Sequence, residues 1–389
     1  MAFSATRASS RLTCSTIFAA TTRHVQTYPC SPFCRGRSSA VLTRDIKVAS
    51  VEEDGVVQLP RHHVDEEDTT AKSKRDRGTT TTQFRAPWNL HAISHRTPLS
   101  DLRPGCFWTY HHNSRAGEGT YAYVIDTGVR VTHKQFEGRA VHGCTIKPGV
   151  QKCSDDPGDE ADSNGHGTHV AGIIAAKTYG VAKKARVVAV KVFDDSGQAK
   201  RSETIRAFNW AVNSILENRR AGAAVINMSW SNKRESDALS AAIDRAFDKG
   251  VITVVCAGNQ DVPASECSPA CAERAITVGS MGRDWTADPY NYGPTVDILA
   301  PGRHIISLSH SNDGALRTLS GTSMAAPHVA GLVLTAMSVH GKRGNQIKPY
   351  LIETATKGQV TGPLRGSPNL VANNNNARQT SPDDTAHCF

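Results

Sequence analysis

The chain has 389 residues, with 45 Lys and Arg against 36 Asp and Glu, for a net charge of +9. That length suits one large α/β domain with appendages better than two domains. No basic-aromatic module accompanies the charge and no stretch reaches transmembrane length, which argues against nucleic-acid and membrane partners.

In chain order, residues 1–47 are rich in Ser, Thr, Ala and Arg, carry Cys14, Cys30 and Cys34, and contain no acid before Asp45. This composition predicts a disordered or targeting segment. Leu12 to Ala20 reads as a secretory signal core diluted by Thr13, Ser15 and Thr16, and the Arg-rich, acid-free character also suits a mitochondrial transit peptide. Residues 60–82 form a charged, then Thr-rich linker.

Thr120 to Ile125 is apolar and β-prone and predicts a strand, with Asp126 at its C-terminal end and Thr127-Gly128 breaking it. Cys144 and Cys153 flank a short polar loop, and His166 precedes the apolar run Val170 to Ala176, a buried helix. Val187 to Val192 is a strand. Thr204 to Glu217 carries Ile205, Phe208, Val212 and Ile215 at helical spacing. A strand at Ala224 to Met228, a helix at Asp237 to Lys249 capped by Gly250, and a strand at Val251 to Cys256 follow. This alternation implies right-handed crossovers and a parallel sheet with helices on both faces. Ser323 precedes a second buried helix, Val329 to Met337, with Pro327 in its first turn.

Ten cysteines are many for a cytosolic protein. Cys144 with Cys153, and Cys267 with Cys271, are near enough in sequence for local disulfides, although sequence does not fix the pairing. Cys256, on a core strand, reads as a buried thiol. A zinc site is weakly supported, because no Cys-x-x-Cys occurs. The sequon Asn227-Met228-Ser229 falls on a buried strand and is discounted.

Amide hydrolysis needs a nucleophile, a base, and an acid that orients the base. Asp126 in Val124-Ile125-Asp126-Thr127-Gly128, His166 in Asn164-Gly165-His166-Gly167-Thr168-His169, and Ser323 in Gly321-Thr322-Ser323-Met324-Ala325-Ala326-Pro327-His328 offer one of each. Singly, each motif reads as a turn, a structural histidine or an N-cap. Together, their order and flanking residues resemble the subtilisin-like serine proteases (subtilases), most closely the secreted proteinase K-like group. The order Asp, His, Ser is also that of subtilisin, a member of this family.

The resemblance implies a subtilisin-like three-layer α/β sandwich with a mainly parallel central sheet. It implies a secreted, monomeric serine endopeptidase with no organic cofactor. Ser323 would be the nucleophile, His166 the base, Asp126 its orienting acid, and Asn259 of Ala257-Gly258-Asn259 the oxyanion donor. Protein or peptide substrate would add as a β-strand between Ser196-Gly197-Gln198-Ala199 and Ser229-Trp230-Ser231-Asn232. In the second segment Trp230 replaces a leucine, and Ser231-Asn232 replace two glycines that give the substrate room. Narrowed specificity or reduced activity follows if those side chains enter the pocket. Asp297, with the carbonyls of Glu273 and Ala275, matches a structural calcium site. Residues 48–59 resemble the last strand of the family's inhibitory propeptide, which also aids folding. The rest of that propeptide is not recognisable upstream, which points to a misassigned start or exon, or to a degraded gene. The catalytic domain then covers 83–376, from Gln83 onward, and 377–389 form a tail. The alternative is a catalytically impaired homologue that acts as a binding protein.

Overall fold

The computed structural model describes residues 16–20, 25–29, 50–60, 64–65, 72–74, 80–98, 106–153, 161–233, 236–379 and 387–388. The chain divides into two units, Met1–Gly55 and Val56–Phe389. In the first, Thr16–Ala20 pairs antiparallel with Val25–Pro29 on one side and Ser50–Glu53 on the other. Two of these strands lie in the stretch read from composition as disordered or targeting, where Ile17, Phe18 and Val25 supply β-prone residues.

The second unit is built on a ten-stranded sheet. Its strands are β1 (Tyr121–Asp126), β2 (Ala140–Lys147), β3 (Val150–Lys152), β4 (Arg186–Lys191) and β5 (Ala224–Met228). They continue with β6 (Ile252–Cys256), β7 (Ile276–Met281), β8 (Ile298–Pro301), β9 (Thr356–Lys357) and β10 (Leu370–Val371). The order across the sheet is β3-β2-β4-β1-β5-β6-β7-β8-β10-β9. Every pairing from β2 to β10 is parallel, and only the two edge pairs are antiparallel. From β1 the chain runs out to β2 and β3, returns to place β4 beside β1, then crosses β1 to β5 and continues the other way. The reversal falls beside the C-terminal ends of β1 and β5, the position where open α/β sheets place their sites.

Among the described residues the α-helices are α1 (Trp88–Ala92), α2 (His166–Ala175), α3 (Arg201–Glu217), α4 (Asp237–Asp248), α5 (Thr322–His340) and α6 (Ile347–Thr354). Alternate residues of β1 face opposite layers. Ala122 and Val124 join the core beneath α2 and α5, whereas the Tyr123 hydroxyl lies 3.1 Å from Ser214 Oγ on α3. α2 packs on α5 and α3 packs on α4, which gives the three layers. Helix boundaries follow local signals: the Ser236 hydroxyl accepts from the Leu239 N–H at the start of α4, and Gly250 just past its end has φ +81°.

Three readings change. Pro327 lies in the second turn of α5, not the first, so the Ser323 carbonyl lacks its usual i+4 donor. α5, with 19 residues, is long and apolar enough to cross a membrane by length and composition, contrary to the sequence reading. It is nonetheless a core helix, buried from Thr322 to Met337. Of the two cysteine pairs, Cys144–Cys153 is a disulfide, while Cys267 and Cys271 are both thiols. Their sulfurs face different partners: Cys267 takes a hydrogen bond from Asn291 Nδ2, and Cys271 lies 3.9 Å from Ser240 Oγ. The expected linker 60–82 and tail 377–389 lie largely outside the described residues.

Candidate active site

Strand β1 ends in Asp126, and the next turn meets the first turn of α2 at van der Waals contact. A Cβ on Gly167 would sit 2.1 Å from the Gly128 carbonyl and 3.0 Å from Asp126 Cβ, so only glycine allows this approach. The Gly167 N–H then donates to Thr127 Oγ1 at 3.0 Å. The result is a 2.7 Å contact between His166 Nδ1 and Asp126 Oδ1, both side chains being buried. Asp126 Oδ1 also accepts from its neighbour's N–H at 2.8 Å. A carboxylate only accepts, so Nδ1 carries the proton and Nε2 presents the lone pair of a base.

Asp162, which sequence reasoning passed over, fixes this arrangement. Its Oδ1 accepts from Thr127 Oγ1, Asn164 N and Gly165 N at 2.8, 3.1 and 2.7 Å. Its Oδ2 accepts from Thr168 N and Thr168 Oγ1 at 2.9 and 2.5 Å. One carboxylate therefore ties the Asp126 turn to the helix that carries His166. An Asp four residues before a helical His was the available signal. Beneath it, buried Lys191 donates to the Thr127 and Ala161 carbonyls at 2.7 and 3.1 Å, and burial lowers its pKa.

Ser323 is the second residue of α5, fully buried, where the positive end of the helix dipole favours a developing anion. Asn259 follows β6 through Gly258, whose φ of +107° and lack of room for a Cβ against Asn291 and Gln260 require glycine. The Thr322 N–H and hydroxyl donate to Asn259 Oδ1 at 3.0 and 2.6 Å. With its oxygen held this way, Asn259 has only its NH₂ left to offer a substrate. Cys256 lies beneath Thr322 and Ser323, and burial pushes its thiol up to about 12, so it stays protonated and does not compete as a nucleophile. The other motif histidines are structural. His169 Nε2 lies 3.0 Å from the Ile305 and Arg317 carbonyls, away from Asp126 and His166. His328 bridges Met324 O and Asn89 Nδ2, and burial lowers it to about 4.

Gly197, with φ +75°, opens the strand Gln198–Lys200, which pairs antiparallel with the chain's own Val56–Gln58. The Leu59 N–H donates to the Gly197 carbonyl at 2.8 Å, and Gln58 Nε2 to the Ser196 carbonyl at 3.0 Å. Leu59, Pro60, Asn164, His166 and Arg317 line one cavity. Ser229, Trp230 and Ser231 form no matching open strand. Ser229 Oγ accepts from Asn227 Nδ2, Trp230 packs edge-on against Phe193, and Ser231 is buried against Gly258 and Cys267. Asn232 exchanges both backbone hydrogen bonds with Ser268 at 2.9 Å. Neither Ser231 nor Asn232 has positive φ, so the loss of two glycines imposes no backbone strain.

The expected calcium ligands do converge, but on an internal cation. Lys348 Nζ, on α6, lies 2.8 Å from Asp297 Oδ1, 3.0 Å from the Ala275 carbonyl and 3.4 Å from that of Glu273. Burial raises the Asp297 pKa and Lys348 opposes the shift.

Residues 117–367 match the subtilase family. The alkaline proteinase of Hapsidospora chrysogena is 41% identical over 330 residues, covering 85% of this chain and 76% of the relative. Alkaline protease 1 of Emericella nidulans is 43% identical over 296 residues, covering 76% of this chain and 69% of the relative. The crystal structure of a cold adapted subtilisin-like serine proteinase aligns with a TM-score of 0.65 at 35% identity, covering 75% of this chain and 98% of that one. The matched region contains nine of the ten strands of the sheet and the N-termini of both α2 and α5, and the chain is therefore a member of the subtilase family, a serine-type endopeptidase.

Proposed function

We propose that the chain cleaves protein substrates through an acyl-enzyme. Ser323 Oγ attacks the scissile carbonyl carbon while His166 Nε2 takes its proton. Asp126, 2.7 Å from Nδ1, stabilises the imidazolium that forms. The oxyanion receives the Asn259 amide and the Ser323 N–H. His166 then protonates the leaving amine, and water repeats the sequence to release the acid. The observation that carries this reading is the 2.7 Å Asp126–His166 contact, with the helix that bears His166 packed on the helix whose N-terminus bears Ser323 and anchors Asn259.

The segment Val56–Leu59 acts as an internal inhibitor strand. Its support is the pairing with Gln198–Lys200, the place where an extended substrate would add. The Cys144–Cys153 disulfide supports a secreted, oxidised setting. Casein hydrolysis and fluorophosphonate labelling of the processed chain, against Ser323→Ala, test the mechanism. Both signals present, and both lost in the variant, are expected. A folded chain that neither labels nor cleaves after removal of the 56–59 strand would replace this reading with that of a silent binding protein.

A further inference from the structure

The cluster of Asp297, Ala275 and Glu273 does not fit a calcium ion. Calcium takes six to eight oxygens at roughly 2.3–2.6 Å. Here Asp297 Oδ1 and two carbonyls face one ammonium at 2.8, 3.0 and 3.4 Å. Asp297 Oδ2 is already engaged, accepting from the Thr277 N–H at 2.9 Å. A divalent ion placed among these oxygens would lie beside the Lys348 charge and be repelled by it.

Two features argue that the lysine is seated there rather than passing by. An ammonium carries three donors, and this one faces three oxygens from two loops that enter β7 and β8. It also comes from the second residue of α6, where the helix dipole disfavours a cation, so the oxygens hold it against that field. We propose that Lys348 is a built-in counter-cation that takes the place of calcium between Glu273, Ala275 and Asp297, making this part of the fold independent of the metal. A side chain tethered in place cannot be diluted away or chelated, whereas the stabilisation from a bound ion falls with the logarithm of its concentration.

The test uses the full chain carrying Ser323→Ala, so that self-digestion does not enter. Melting temperature is read in chelator and in millimolar calcium, alone and with Asp297→Asn, Lys348→Ala or both. The expected result is a calcium response of the parent that Asp297→Asn leaves unchanged. Lys348→Ala melts about 2–4 °C lower in chelator, recovers with calcium, and loses that recovery when Asp297→Asn is added. A calcium response of the parent that Asp297→Asn abolishes would overturn the proposal. So would a Lys348→Ala chain indistinguishable from the parent in both buffers. Equilibrium dialysis counts ions on the same proteins: one extra calcium on Lys348→Ala supports the proposal, and one fewer on Asp297→Asn than on the parent refutes it.

Discussion

Replacing Asp162 with Asn tests whether the geometry around His166 depends on the carboxylate that bonds the Asp126 turn to the start of α2. Asp162 is 6% exposed and accepts five hydrogen bonds. Asn keeps one oxygen, so the donors on Thr127, Asn164 and Gly165 stay paired. Its NH₂ then faces the Thr168 N–H and hydroxyl, which lose their acceptor. Hydrogen bonds to a charged partner contribute about 1.5–3 kcal/mol each, giving a gross loss of about 3–6 kcal/mol. The Thr168 hydroxyl can turn to a backbone carbonyl, so about 2–4 kcal/mol is the net expectation. Urea unfolding of Asp162→Asn in the Ser323→Ala background should show this as a lower midpoint at unchanged slope. In the active chain, a base displaced by about 1 Å should lower kcat by about 10² while leaving KM nearly untouched. A variant within about 0.5 kcal/mol of the parent, with unchanged kcat, would refute the role given to Asp162.

Asn259→Ala should lower kcat by about 10²–10³, a figure established on subtilisin, a member of this family; unchanged kcat would remove Asn259 from the oxyanion site. Leu59→Asp should free the cleft of the unprocessed chain, so fluorophosphonate labelling becomes faster, and equal rates would argue against an inhibitor strand. Replacing Cys144 and Cys153 by Ser, which opens a loop with sequence separation 9, should cost about 2.5 kcal/mol in urea unfolding. His328 titrates at about 4 when folded and near 6.5 when unfolded, so the unfolded chain binds its proton first as pH falls. Its contribution is fully present above about pH 6.5 and declines by about 3 kcal/mol toward pH 4. His328→Gln, whose amide can still bridge Asn89 and Met324, should flatten that part of the stability profile, and an unchanged slope between pH 6.5 and 4 would rule it out.

The residues at strand ends and helix starts were legible because local chemistry marks them. Asp126 ends an apolar run, and Ser323 and His166 each precede one. Gly250 marked the end of α4 in the same way. Contacts distant in sequence were not legible. Lys348 meets the Ala275 carbonyl across 73 positions, and no periodicity points from one to the other. Cys267 and Cys271 are close in sequence, yet Asn291, 24 positions from Cys267, engages its sulfur. Ser231 and Asn232 looked like obstacles because sequence shows a side chain gained but not where it turns. Ser231 is packed inward, and the backbone of Asn232 pairs with Ser268.

Thr322 bonds to Asn259 across 63 positions of chain. Because Thr322 and Ser323 are consecutive, any tilt or slide of α5 carries the attacking oxygen and the oxyanion donor in the same direction. The fluctuation is common-mode: both groups move in the frame of the sheet, but their separation does not. His166 and Asp126 sit on α2 and β1 instead, so loosening between α5 and α2 should disturb the spacing of serine and histidine before that of serine and amide.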